Sequence, residues 1–493
     1  MSQKTKWSQF GTLITVFFFW GFVAASNDIL IPVFKKAFNL SQGESQLVSV
    51  AFYVAYTVGS IIYFLISKII KGDLLNKIGY KNGIAVGLII SAIGTLLFYP
   101  AANNASFTLM LTGLFVVGLG FSLQQIAANP LAIAMGDVKT GSQRLIMAGG
   151  VNNFGTTIGP LLVSFAIFGS VAANSSVASI ESVKIPYLVL GAAFLLVALF
   201  IKFSSVPNKI DPEDTLTNDL EPAVASITTK EIIANKLSTA KTSAFAYPQL
   251  YLGMIAIFVY VGVEVATASN LPAYLNQHLG IPTEKVAPYI SLYWASLMIG
   301  RWTGAVGAFD VNMGTKKILS FLMPYIAFAI FLLVNTIAQH DVHQFFVYSF
   351  VIAVMIAGDI ASKGNPARML LIFSALGITA LCIGMLTTGM TSAYAFISVG
   401  LFCSTLWPCI FTLAVAGLGK NTGQGSSLLI MMIMGGGIIS YLQGSLADSI
   451  GIQYSYVMGV ICFAYLAFYA VKAKAILKNQ GIDYDALNAE GGH

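Results

Sequence analysis

FGTLITVFFFWGFVAASNDILIPVF, residues 10–34, is the stretch that decides the fold. It exceeds the roughly 20 apolar residues that a helix needs to cross a bilayer. It holds one acid, Asp28. Gly21, Ala24, Ala25, Asp28 and Pro32 fall at spacings of three, four and seven, so they share one helical face, with bulky Phe17, Phe18, Trp20 and Phe22 largely off it. Small faces let helices approach closely in lipid, which predicts that Asp28 points inward, to protein or a cavity. An acid inside a span costs on the order of 2.5–3.5 kcal/mol on insertion scales and is kept where it has a function. The bland alternative places Asp28 near a helix end, reaching headgroups. The apolar run Ile29 to Phe34 before Lys35 argues against it.

Composition extends that reading to the whole chain. Of 493 residues, 57% are hydrophobic and 9% charged, where a soluble domain carries about 25% charged residues. Mean hydropathy is +0.79. The class is a polytopic, all-α membrane protein. Lys4 and Lys6 precede a run too long for a typical signal h-region, so the first run reads as a span. The net charge of +6 implies no nucleic-acid partner, because basic loops orient a membrane protein. Cys382, Cys403, Cys409 and Cys462 all lie in apolar runs and read as packing residues, with no disulfide, metal site or cofactor expected. His278, His340, His343 and His493 fall in loops or the tail, so no histidine-based catalytic centre is indicated and the chain does not read as an enzyme.

Further apolar runs lie at about 46–70, 82–101, 107–133, 145–173 and 185–204, making six spans. Residues 205–247 then turn polar and read as a linker, with a short helix around 228–237. Eight spans follow, at about 249–277, 286–309, 317–338, 344–362, 367–389, 392–417, 423–447 and 454–476. Fourteen helical spans result, with no barrel-like alternation. With the N-terminus in the cytoplasm, alternation leaves only Lys35, Lys36, Lys184 and Lys285 outside; the other 22 of the 26 basic residues fall inside, as the positive-inside rule requires. The expected location is the bacterial inner (plasma) membrane, with both termini cytoplasmic.

Two halves around a linker suggest duplication. GSQRLIMAGG at 141–150 resembles GSSLLIMMIMGGG at 425–437, each following a proline-bearing span. Parallel six-span repeats are the architecture of the major facilitator superfamily. The loop G-D-L-L-N-K-I-G-Y-K at 72–81 resembles that superfamily's cytoplasmic loop signature, with Asn76 where an aspartate often stands. Beyond this, FFFWGFVAASNDILIP, QQIAANP, NNFGTTIGP, YVGVEVATASNLPAYL, GRWTG and the block around Gly435, Gly436 and Gly437 resemble motifs of the fucose/glucose/galactose–proton symporter family, nearer its glucose/galactose branch. The resemblance implies two six-helix bundles and uptake of a monosaccharide, hexose or deoxyhexose, by cation symport with alternating access. It implies proton coupling; sodium coupling and export of a small molecule are the alternatives. The export reading rests on Gly155 to Pro160, which matches the start of an antiporter motif.

The chain also departs from that family. Gln125 stands where the fucose symporter has an acid, and it cannot bind and release a proton. Ile146 and Gly149 replace two amides, Asn153 replaces a serine, and the span-ten block carries Cys403, Ser404 and Trp407. The family has twelve spans. The run at 364–377 resembles the start of its ninth, which makes about 312–362 an inserted helical hairpin. The organisation is thus 1–204, an N-terminal bundle; 205–247, a cytoplasmic linker; 248–476, a C-terminal bundle with the hairpin; and 477–493, a cytoplasmic tail.

The polar residues converge on the same function. Asp28 and Glu264 are the candidate coupling acids. Asn27, Gln125, Asn129, Asn152, Asn153, Tyr260, Glu264, Trp294 and Trp407 are the candidate sugar ligands, with Tyr293 a further ring partner. A sugar needs paired donors and acceptors for its hydroxyls and aromatic faces for its apolar side, and amides with Trp or Tyr supply both. The plainer reading of any one amide is helix–helix glue, and of a lone aromatic, packing. The expected partners are a sugar, a proton or sodium ion and the lipid bilayer, with the protein functional as a monomer.

Overall fold

The computed structural model describes residues 6–70, 74–136, 141–168, 180–209, 247–305, 312–418 and 422–485. Among these, all regular structure is helical. Most of the linker, with its expected helix at 228–237, lies outside the described residues, as do residues 71–73 of the signature loop and 486–493 of the tail.

The first half comprises α1 (Trp7–Phe38), α2 (Leu47–Ile69), α3 (Tyr80–Leu96), α4 (Phe107–Ala134), α5 (Gly141–Phe168) and α6 (Lys184–Phe203). The second comprises α7 (Pro248–Leu279), α8 (Ala287–Ala305), α9 (Met313–Ile337), α10 (Tyr348–Ser362), α11 (Pro366–Leu386), α12 (Gly389–Cys403, resuming as Leu406–Val415), α13 (Thr422–Met431, resuming as Gly435–Ile450) and α14 (Val457–Asn479). Among the described residues, thirteen spans are long and apolar enough to cross a membrane. The fourteenth, α8, carries Ser, Tyr, Trp and Arg yet is buried without a break from Val286 to Gly300. A helix wrapped in protein rather than lipid need not be apolar.

Proline explains one of the breaks. Pro408 has no N–H to offer the carbonyl of Ser404, so α12 opens there. The freed carbonyl accepts Arg301 Nε at 3.4 Å. The side chain that uses this defect comes from α8.

The packing of the two halves is related. In the first, α1 lies along α5, α2 and α3 pack on α4, and α3 packs on α6. In the second, α7 lies along α13, α8 and α11 pack on α12, and α11 packs on α14. This correspondence uses twelve helices and leaves out α9 and α10. Those two form the inserted hairpin: α9 packs on α8, and α10 on α11 and α12. Tyr348 fixes it, its hydroxyl 2.7 Å from Ser296 Oγ, and Gln344 bonds Tyr289 at 2.8 Å. Ile318, Phe321, Ile326, Leu333, Phe350 and Val354 are exposed, as a lipid-facing surface requires.

Glycine sets how close the core helices come. A Cβ on Gly21 would sit 1.9 Å from the Asn152 carbonyl oxygen, and one on Gly155 would sit 2.2 Å from that of Phe18. The small face of α1 is thus its contact with α5. In the triple-glycine block, Gly435 abuts the Phe258 backbone of α7 and Gly437 the Val50 backbone of α2. The block lets α13 thread between its own half and the other.

The halves meet along two seams, α5 against α8 and α2 against α13. Ser291 Oγ donates to the Thr157 carbonyl at 2.7 Å on the first. On the face opposite the linker, a polar cluster closes the interface. The Asp448 carboxylate accepts the backbone N–H groups of Gln42 (2.8 Å) and Gly43 (2.7 Å). Gln42 also bonds Asn270 at 2.9 Å and receives Lys35 Nζ at 2.6 Å.

Candidate functional site

Asp28 lies ten residues before the end of α1, is 2% exposed, and faces the second half. Its Oδ2 accepts the indole N–H of Trp294 at 2.8 Å. This excludes the headgroup alternative: the acid is held inside the protein, across the interface between halves. Tyr53 of α2 lies within electrostatic reach of both Asp28 and Glu264, and so does Tyr293 of α8.

Glu264 is one turn after Tyr260 on α7. The two side chains approach each other, yet neither the Tyr260 hydroxyl nor Glu264 Oε2 completes a hydrogen bond. The Tyr293 hydroxyl donates to the Glu264 backbone carbonyl at 2.6 Å. Arg301 lies within electrostatic reach of Glu264 and donates to Asn153 Oδ1 at 3.3 Å. Trp407 sits beside Tyr260, ring centres 6.1 Å apart. Seven-residue α-helical separation places Trp294 and Arg301 two turns apart on one face of α8, so that helix serves both acids.

Both side-chain polar atoms of buried Asn27 lack a partner, as does Asn153 Nδ2. Buried polar atoms are nearly always satisfied, so each such orphan is open to a ligand or water. Together with Tyr260 and Glu264 they offer donors and acceptors from α1, α5 and α7.

The remaining candidates divide. Gln125 of α4 donates to the Tyr56 hydroxyl at 3.4 Å, and Tyr56 stacks near Tyr53, centroids 6.3 Å apart. Gln125 thus joins the constellation through two tyrosines. Asn129 is half-exposed, beside exposed Pro130. Asn152 donates to the Phe17 carbonyl at 3.0 Å, which is the glue role between α1 and α5. Trp294 spends its N–H on Asp28, and only its ring remains for a ligand.

Sequence reasoning missed Tyr53, Tyr56 and Arg301. Arg301 and Arg144 are among the 22 basic residues that the charge alternation counts on the inside. Both stand inside helices, and Arg144 is buried with Nε on the Ala132 carbonyl at 3.1 Å. An arginine well inside the apolar run 286–309 was the available signal.

Comparison with known proteins fits this arrangement. The family profile of the Major Facilitator Superfamily matches residues 10–358. A glucose/galactose transporter of Brucella abortus is 33% identical over 473 residues, covering 95% of each chain. The L-fucose-proton symporter of Escherichia coli is 27% identical, covering 94% of this chain and 92% of its own. Among solved structures, the crystal structure of the transporter FucP in the outward conformation matches with a TM-score of 0.59 at 26% identity, covering 94% of this chain and 98% of that one. A family profile that spans well over half of the sequence, matched by the paired packing of the two helical halves, shows that the chain belongs to the Major Facilitator Superfamily.

Proposed function

We propose that this protein imports a monosaccharide, hexose or deoxyhexose, together with a proton, by alternating access. The observation that carries the reading is the Asp28 carboxylate, buried at the interface and bonded to the opposite half, with buried, unpartnered polar atoms on Asn27 of the same helix and on Asn153, Tyr260 and Glu264 of α5 and α7. Hydroxyl-rich ligands satisfy such atoms, and a buried carboxylate at a moving interface is a natural proton carrier. Relatives described as a glucose/galactose transporter and an L-fucose-proton symporter support the substrate class and the coupling ion.

In this reading Asp28 carries the proton. Asn27, Asn153, Tyr260 and Glu264 bind sugar hydroxyls, Trp407 covers a sugar face, and Gln125, Asn129 and Asn152 border the cavity. Arg301 holds Asn153 and balances Glu264. The linker face is cytoplasmic, which places both termini inside, in a bacterial inner membrane, and the monomer is the working unit. Residues 1–204 and 248–476 form the rocking units. The Lys35, Gln42, Asn270 and Asp448 cluster then seals the outside, so the conformation is closed to the exterior.

The test is uptake of radiolabelled D-glucose and D-galactose, assayed in parallel, into proteoliposomes under an imposed inward proton gradient. A sodium gradient serves as the second arm. Accumulation under the proton gradient, abolished by a protonophore, is expected. Accumulation under sodium alone would refute the proton, and failure in both arms would refute the transport reading. Thermal shift of the purified protein identifies the sugar, because a ligand that binds the folded state raises its stability by mass action.

A further inference from the structure

We propose that Trp294 is a positioning residue for Asp28 rather than a sugar-stacking ring: carried by the second half, its indole N–H holds the carboxylate of the first, so loss of the proton is tied to closure of the halves at this level. This rests on the functional reading above, in which Asp28 carries the proton.

The geometry restricts what Trp294 can do. The residue is 4% exposed and Asp28 2%, and the bond between them is 2.8 Å long. An indole nitrogen only donates. An ionised carboxylate only accepts, and the charge-assisted bond is roughly twice as strong as its neutral counterpart. Low surrounding polarity strengthens it further and makes an unpaired carboxylate expensive.

The other groups around Asp28 do not replace this donor. Tyr53 from α2 and Tyr293 from α8 are within electrostatic reach of it. The Tyr293 hydroxyl is committed to the Glu264 carbonyl. Glu264 on α7 shares both tyrosines as neighbours, and a second carboxylate offers no N–H. Arg301 on α8 is engaged with Asn153 of α5 and with the Ser404 carbonyl of α12. Lys35, two turns farther along α1, is engaged with Gln42 and lies within reach of Asp448. Among the described residues, Trp294 is the side chain that donates to Asp28.

A consequence follows for the transport cycle. With the halves together, the indole stabilises the carboxylate, so the protonated acid can release its proton there. When α1 and α8 separate, the carboxylate form would lack that donor, so the acid keeps its proton until closure restores the donor. A sugar-stacking role would need none of this and would leave the indole N–H free for ligand.

Trp294→Phe and Trp294→Tyr test the proposal, since they differ by one hydroxyl and pack alike. The Phe variant should bind D-glucose or D-galactose within about twofold of wild type by thermal shift. Its accumulation under a proton gradient should fall about tenfold, and its uptake profile should move about one pH unit upward, a tenfold change in proton affinity. The Tyr variant, which keeps a donor, should recover most of the accumulation. In an Asp28→Asn background, where no ionised acid remains, adding Trp294→Phe should leave sugar exchange unchanged. Full accumulation with an unshifted profile in the Phe variant would overturn the proposal, as would loss of sugar binding in both ring variants. A wild-type protein indifferent to the proton gradient would overturn the functional reading as well; a responsive wild type with an indifferent Phe variant would overturn this inference alone.

Discussion

Asp448→Ala should open the face opposite the linker. The carboxylate caps two backbone N–H groups across the interface, at 2.8 and 2.7 Å, from Gln42 and Gly43. Hydrogen bonds to a charged group contribute about 1.5–3 kcal/mol each when protected from water. Asp448 is exposed, so the scale of a helix cap, about 0.5–2 kcal/mol, is the better guide to the pair. Removing it should therefore shift the closed-to-open ratio by roughly twofold to thirtyfold, provided that the open state lacks these contacts. Lys35, within reach of Asp448, loses a compensating charge in the same variant. Spin labels on exposed Ala37 of α1 and exposed Gln277 of α7 would read the change as a distance distribution. Wild type should give mainly a short distance, and the variant should gain a longer population. Asp448→Asn, which keeps one acceptor, should fall between. An unchanged distribution in the Ala variant would refute the assignment of this cluster as the seal.

Glu264→Gln should weaken sugar binding at least tenfold, by isothermal titration, while leaving the unfolding temperature within a few degrees; normal binding would count against a direct contact. Replacing the hairpin, about 312–362, with a short polar loop should lower thermal stability, since the packing of buried Phe331, Phe345 and Tyr348 goes with it, yet leave sugar binding within about twofold. Loss of binding in a variant that still folds would put α9 or α10 in the site. At the end of the chain, Lys474, foremost, and Arg368 hold the Asp485 carboxyl below the usual carboxylate range. A depressed folded value means that the clasp is present above the ordinary value near 4 and is lost as pH falls through the depressed one. Hydrogen exchange at residues 480–485 should therefore rise in acid, and Lys474→Ala should reproduce that rise at neutral pH. Exchange indifferent to both would remove the clasp.

The sequence was explicit about everything that lipid enforces. Backbone groups in a bilayer core must be bonded within the protein, which an unbroken apolar run without alternation, such as residues 10–34, does as a helix, and the sequence placed the spanning helices within a few residues of their observed ends. The small face of α1, the triple glycine and the extra hairpin were also legible, because close packing and insertion leave marks in residue size and run length. Partnership was not. Nothing in the sequence pairs Asp28 with Trp294, 266 positions away, or sends Arg301 to a carbonyl that Pro408 frees in another helix. Asn152 and Asn153 are adjacent and alike in the sequence, yet one bonds a neighbouring helix and the other keeps a free amide toward the interface. Successive residues on a helix point about 100° apart, so which one meets the other half depends on how helices from distant parts of the chain are rotated against each other, and tertiary packing alone decides that.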